Sequence, residues 1–144
     1  MNRRGFTLLE LAGVLALMGI LAAVAAPSIQ HQLLRGRTVE ARTMLAAIAD
    51  AELAYRRDHG RFVACAPSAP TPPAGGVGRF DEKAAGWAEL GISVRGPMRY
   101  RYEVTLAGSG FEATAVGDLD GDGVPSRLSL RSENLEITAK DELE

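Results

Sequence analysis

The chain has 144 residues, which suffices for one modest domain once an apolar amino-terminal segment is set aside. Its 16 Lys and Arg against 18 Asp and Glu give a formal net charge of -2, so the overall charge does not favour nucleic acid as a partner. The single cysteine, Cys65, excludes an intrachain disulfide framework. The sequence carries no catalytic-triad, HExxH, Walker or dinucleotide-binding pattern, which argues against an enzyme.

An apolar run begins at Phe6 and continues to Ala26. As a helix rising about 1.5 Å per residue it would cover roughly 30 Å, the thickness of the hydrocarbon core of a bilayer. Arg3 and Arg4 precede the run, and by the positive-inside tendency the rest of the chain is expected on the far side of the membrane. The alternatives are a secretory signal cleaved near the AAVAAP sequence, a plain membrane anchor, and a buried helix of a soluble protein.

Glu10 lies inside this apolar run. A charged side chain costs about 2.5–3.5 kcal/mol at the centre of an inserted helix and less near its end, and it usually persists where it has a partner. Glu10 is therefore a candidate functional residue.

The sequence RRGFTLLEL over residues 3–11 resembles the amino-terminal signal of type IV prepilins and pseudopilins. The resemblance implies cleavage after Gly5 by a prepilin peptidase, N-methylation of the new amino terminus on Phe6, and retention of the apolar helix in the mature chain. Pro27 lies where this family commonly kinks its long helix.

Cleavage before Phe6 would create an ammonium group four residues from Glu10, and residues four apart share a helix face. In a filament, the carboxylate of one subunit could instead neutralise the amino terminus of its neighbour. We therefore expect Phe6 and Glu10 to be assembly residues, and the resemblance implies the same for Pro27.

Pro27 lacks an amide donor, so the helix is predicted to bend near Ala26 and then to resume as an amphipathic helix that stops at Gly60. The predicted organisation is a leader over 1–5, a transmembrane and assembly helix over 6–30, and a head over 31–144. The head begins with the amphipathic half of the helix, 31–59. Apolar residues recur there at spacings of three and four: Ala41, Met44, Leu45, Ile48, Ala51 and Tyr55.

A Pro/Gly-rich surface loop over 64–80 is predicted next, followed by a short helix from Asp81 to Gly91 that buries Trp87. An antiparallel sheet is predicted over 98–138. Its hairpin turns at AGSG, and a period of two places one face of each strand in the core, including Tyr100, Tyr102, Val104 and Leu106. A long helix on a small antiparallel sheet is an α+β, pilin-like fold.

The sequence GDLDGDGVPS places Asp118, Asp120 and Asp122 at alternate positions, as in the first half of an EF-hand calcium loop. Ser126 offers the next side-chain oxygen. The twelfth position is Ser129 instead of a bidentate Glu. Two interpretations stay open: a calcium site, and a turn whose carboxylates accept backbone amides.

The resemblance implies a structural subunit of a type IV pilus or related filament, with no enzymatic role and no required cofactor. Its partners would be other pilin subunits, the prepilin peptidase and N-methyltransferase, and the inner-membrane assembly machinery. The precursor would cross the inner membrane once with its head in the periplasm, and the mature subunit would lie in a pilus or pseudopilus. A type II secretion pseudopilin is the alternative, and a membrane-anchored calcium- or ligand-binding module is a further one.

Overall fold

The computed structural model describes residues 7–69 and 75–141, and in the first helix it leaves out the side chains of residues 26–31 and 33. The chain divides into two compact units between Leu33 and Leu34. The elements, in order, are α1 (Leu8–His59), β1 (Gly78–Arg79), β2 (Pro97–Met98), β3 (Arg101–Ala107), β4 (Gly110–Gly117), β5 (Ser126–Arg131) and β6 (Ile137–Lys140). This order confirms the predicted α+β class.

The first unit contains the amino-terminal half of α1. Leu8–Ala25 is long and apolar enough to cross a membrane, and each of its residues is exposed. The backbone stays helical through Pro27, which agrees with the prediction that the helix continues beyond the proline. The bend near Ala26 remains a prediction.

In the second unit, α1 packs one face on the sheet. Ala41, Leu45 and Ile48 recur at the predicted spacing and are fully buried. The helix ends at Gly60, where φ is +74° and the amide donates to the Arg56 carbonyl at 2.8 Å. Glycine adopts this left-handed conformation without steric cost, so it ends the helix where predicted.

The four-stranded sheet is antiparallel, with strand order β3-β4-β5-β6. Ala107 pairs with Gly110, so the β3–β4 turn consists of Gly108 and Ser109. Gly108 has φ +59°, which two-residue hairpin turns require at their first position. Tyr100, Tyr102 and Val104 are buried as predicted, and the buried strand residues meet α1 in one core. The prediction is wrong for Leu106, which is 53% exposed.

The predicted helix from Asp81 to Gly91 is wrong: this segment is a series of turns. Gly86 has φ +92°, which no α-helix accommodates, and a Cβ there would lie 2.3 Å from the Ala64 carbonyl oxygen. Tight packing against the chain after α1 therefore overrides local helix propensity. Trp87 is nevertheless fully buried, as predicted, and its Nε1 donates to the Ala66 carbonyl at 2.8 Å.

The predicted surface loop over 64–80 is only partly a surface loop. Cys65 pairs with Val104 through two backbone hydrogen bonds, and the Ser68 amide donates to the Tyr102 carbonyl at 2.8 Å. These contacts cover the outer edge of β3, and Cys65 and Ser68 are buried. β1 lies at the end of the same segment and pairs with β2 in a small sheet that the sequence pattern did not predict.

Candidate functional site

The start of α1 is closed by reciprocal hydrogen bonds between Thr7 and Glu10. The Thr7 amide and hydroxyl donate to Glu10 Oε2 at 2.9 and 2.7 Å, and the Glu10 amide donates to Thr7 Oγ1 at 3.2 Å. This is a capping box, in which two side chains satisfy amides that the first turn of a helix leaves without partners. The chain thus already supplies Glu10 with a local partner.

Thr7 was not among the site residues predicted from the sequence. The signal is the pattern of Thr or Ser followed three residues later by Glu, directly before an apolar run. The arrangement fixes the carboxylate at the amino-terminal end of the helix, where the helix dipole favours negative charge.

Gly5 and Phe6 lie outside the described residues, and so does the side chain of Pro27. Of the other residues in the apolar helix, Gly13 and Gly19 have open space around them: within the described part of the chain, no atom would lie within 4 Å of a Cβ added at either position. Small residues of this kind allow another helix to approach closely.

The acidic loop, defined as residues 118–125, is folded by its own backbone amides. Asp118 accepts from Gly121 at 2.6 Å and from Gly123 at 3.0 Å. Asp120 accepts from the Asp122 amide at 3.2 Å, and Asp122 accepts from Val124 at 2.7 Å. These bonds fit the turn interpretation.

The same fold brings the three carboxylates together. One oxygen from each of Asp118, Asp120 and Asp122 lies within 4.8 Å of the others, close enough to share one cation. Ser126 is fully buried at the first position of β5. Ser129 Oγ lies 2.9 Å from Thr138 Oγ1 on the neighbouring strand, so the sheet engages the side chain at the twelfth position.

Contacts distant in sequence hold the acidic loop against the rest of the head. Arg37 Nη1 of α1 donates to the Leu119 carbonyl at 2.6 Å. The Gly75 amide donates to the Asp118 carbonyl at 2.7 Å, and a Cβ on Gly75 would lie 3.0 Å from Gly121 Cα. The loop is therefore fixed beside the first turns of α1 within the second unit.

A buried carboxyl was also missed in the sequence. Glu52 is fully buried on the apolar face of α1, and its Oε2 accepts from the Val63 amide at 3.0 Å. Its Oε1 has no hydrogen-bond partner within the described residues. Burial raises the pKa of Glu52, an effect that the Val63 amide partly offsets. The signal was its position, four residues after Ile48 on the buried face.

Cys65 lies close to this carboxyl. Burial raises the pKa of the Cys65 thiol to about 12, and the charges of Glu52 and Glu89 add to the rise. Because the thiolate is the reactive form, this cysteine is an inert core residue at neutral pH.

Known proteins support the interpretation of both units. The family described as the prokaryotic N-terminal methylation motif matches residues 1–26. The type IV major pilin protein PilA of Myxococcus xanthus (strain DK1622) is 31% identical over 118 residues, which make up 82% of this chain and 44% of that protein. The chain thus spans less than half the length of this curated relative. No solved structure matches this chain.

The amino-terminal motif, the long helix packed on an antiparallel sheet, and the similarity to a major pilin agree with the resemblance seen in RRGFTLLEL. Together these findings support placing the chain in the family of type IV pilins and pseudopilins.

Proposed function

We propose that this chain is a structural, non-enzymatic subunit of a type IV pilus or a related type IV filament. The observation that carries the proposal is the position of Glu10, held by Thr7 at the start of an apolar helix whose residues from Leu8 to Ala25 are all exposed. Such a surface needs lipid or other helices to cover it. A bilayer covers it before assembly, and neighbouring subunits cover it in the filament.

Assembly begins with removal of residues 1–5. Cleavage after Gly5 leaves Phe6 as an N-methylated amino terminus that carries a positive charge. Thr7 fixes Glu10 Oε2, and the carboxylate then attracts the amino terminus of a neighbouring subunit in surroundings of low dielectric constant. Since a mismatched register leaves each of the two charges without an oppositely charged neighbour, this pairing sets the register of the helices. Gly13 and Gly19 let those helices approach closely.

The partners of the chain are the proteins that it meets during processing and assembly. The precursor crosses the inner membrane once, with its head in the periplasm, and meets the prepilin peptidase and N-methyltransferase there. Assembly machinery in the inner membrane then adds it to other pilin subunits. The filament extends to the cell surface if it is a pilus.

A pseudopilin of a type II secretion system is the second candidate, because the same processing motif and fold serve it equally. The similarity to a protein named as a major pilin favours the pilus. The third candidate is a membrane-anchored calcium-binding module, which the converging carboxylates of the acidic loop favour.

Mass spectrometry of the mature chain tests the proposal. We expect an amino terminus of N-methylated Phe6 and recovery of the chain in filaments sheared from cells. An intact Met1, or cleavage near Ala26, would contradict it. Fibres visible on the surface of wild-type cells, and absent when this chain is deleted, would distinguish a pilus from a pseudopilus.

A further inference from the structure

The end of the head at which α1 stops leaves an apolar side chain of the sheet uncovered. Leu106 lies in β3 in phase with the buried Tyr102 and Val104, yet it is 53% exposed. The reason is that α1 ends at His59, so the last part of this sheet face has no helix over it. An open cavity of about 440 Å³ remains there. We call it the distal groove; its lining consists of Arg56, Gly60, Arg61, Phe62, Leu106, Gly108, Ser109 and Gly110.

Two guanidinium groups belong to the distal groove. That of Arg56 lies 4.8 Å from the centre of the Phe62 ring. That of Arg61 lies 3.5 Å from a carboxylate oxygen of Glu89, and the two side chains are 63% and 51% exposed. Solvent screens an exposed pair of this kind, so it contributes little and can exchange partners. The groove therefore fits an apolar side chain flanked by carboxylates.

The acidic loop carries such an apolar side chain between carboxylates. Val124 is 45% exposed, and Asp120 and Asp122 beside it are exposed as well. Each of the two carboxylates receives one backbone amide within the loop, through its Oδ1. Their charges are therefore available for a contact outside the loop.

The acidic loop and the distal groove lie at opposite ends of the head. Arg37 contacts the loop, and Arg56 lines the groove 19 residues later in the same helix, a rise of about 28 Å. β4 runs between the same two ends of the head, with Gly110 in the groove and Gly117 directly before the loop. The loop cannot fill the groove of its own chain.

We propose that the acidic loop of a second copy of this chain docks in the distal groove, with Val124 against Leu106 and with Asp120 and Asp122 facing Arg56 and Arg61. The inference rests on the proposed function as a filament subunit. Because the two surfaces differ and lie at opposite ends, the contact is head-to-tail and repeats without closing, as an open filament requires. Opposite charges then select the correct end of the neighbour.

Cysteine cross-linking in assembled filaments tests the contact. The full chain carries Cys65→Ala, so that the only thiols are those of Leu106→Cys and Val124→Cys, and sheared filaments are oxidised and separated without reductant. We expect a ladder of dimers, trimers and larger species, since each copy carries both halves of the contact. Chains with only one of the two introduced cysteines are the matched controls and should not form a ladder.

Filaments that form without a ladder would overturn the docking contact and leave the proposed function intact. Dimers without larger species would indicate a two-fold contact and would also overturn it. Absence of filaments from the wild-type chain would refute the proposed function, and the docking contact with it.

A charge exchange gives a second measurement that does not depend on cysteine. Arg56→Asp and Asp122→Arg should each lower the amount of sheared filament at least about fivefold, because each replaces an attraction between opposite charges with a repulsion between like charges, and the double variant should recover most of it. No recovery in the double variant, together with no ladder, refutes the contact.

Discussion

Glu52 Oε2 accepts a hydrogen bond from the Val63 amide at 3.0 Å, while the other oxygen of the same carboxyl is buried without a partner among the described residues. The bond joins the last turns of α1 to the chain that follows Gly60. It therefore fixes the direction in which the polypeptide leaves the helix and enters the edge of the sheet. The surroundings favour the neutral acid, because an ionised carboxylate would have only one amide to stabilise it.

The free energy of unfolding should fall as pH rises, because Glu52 loses its proton at a lower pH in the unfolded chain than in the folded one. Burial raises its pKa above the ordinary value of 4.5, so the folded chain holds this proton over a range in which the unfolded chain has lost it. The contribution of Glu52 to the free energy of unfolding therefore falls as pH rises from about 4.5 to the raised pKa of the folded chain. Above that pKa the contribution stays constant. Glu52→Gln cannot ionise, so the stability of wild type relative to this variant should decline across the window.

Unfolding of the full chain in detergent, followed by the fluorescence of the buried Trp87, measures this difference. Glu82→Gln, at an exposed position, is the matched control for removal of one carboxyl group. If the difference between wild type and Glu52→Gln does not change across the window, the pKa of Glu52 is not raised in the folded chain.

The sequence predicted the parts of this fold that depend on periodicity. The stripe of Ala41, Leu45 and Ile48 and the alternation of Tyr102 and Val104 follow from one buried face per element, which is visible along a single segment. The turns over 81–91 could not be predicted this way, because Gly86 is fixed by contact with Ala64, 22 residues away. The exposure of Leu106 likewise depends on where another element ends.

Some candidate site residues could be predicted from the sequence and others could not. Glu10 could be predicted because a carboxylate is unusual in an apolar run and implies a partner. The carboxylates of Asp118, Asp120 and Asp122 come together as their spacing predicts, but this geometry is compatible with both the turn and the calcium interpretation. Glu52 was not predicted, although it lies four residues after Ile48 on the buried face, because a carboxyl side chain is usually exposed unless it is paired.

Gly86→Ala should destabilise the head severely. Its φ of +92° is costly for any residue with a side chain, and the new Cβ would lie 2.3 Å from the Ala64 carbonyl oxygen and 2.8 Å from Cys65 Cα. The two effects together should lower the free energy of unfolding by about 3 kcal/mol or more.

Gly91→Ala is the matched control for this variant. Gly91 also has a positive φ, +66°, but no described atom would lie within 4 Å of its Cβ, so only the backbone cost of about 1 kcal/mol should appear. Trp87 fluorescence in a urea titration measures both variants. Equal losses would show that packing against Ala64 and Cys65 contributes nothing.

Calcium should stabilise the chain if the acidic loop binds it. Millimolar calcium is then expected to raise the Tm of the full chain in detergent, because a cation neutralises three converging carboxylates only in the folded state. Asp120→Asn should abolish the increase: it removes a charge and keeps an oxygen that can accept the Asp122 amide.

Magnesium at the same ionic strength serves as the control for screening. If calcium and magnesium leave the Tm equally unchanged, the turn interpretation is correct. Asp118→Ala should still destabilise the head in that case by about 1–3 kcal/mol, since Asp118 is buried and accepts two backbone amides.

Thr7 should contribute to assembly through Glu10. Glu10→Ala is expected to insert into the membrane at the wild-type level, because removal of a charge eases insertion, and to be nearly absent from sheared filaments.

Thr7→Val removes the hydroxyl that donates to Glu10 Oε2 and accepts from the Glu10 amide, while it keeps a side chain of similar shape. The carboxylate is then less firmly fixed, and the helix loses a cap worth about 1 kcal/mol. We expect Thr7→Val to reduce filaments less than Glu10→Ala does, and Thr7→Ser, which keeps the hydroxyl, to restore them. Immunoblots of the membrane and sheared fractions measure both steps, and wild-type filament levels from Glu10→Ala would remove the role in register that we assign to this carboxylate.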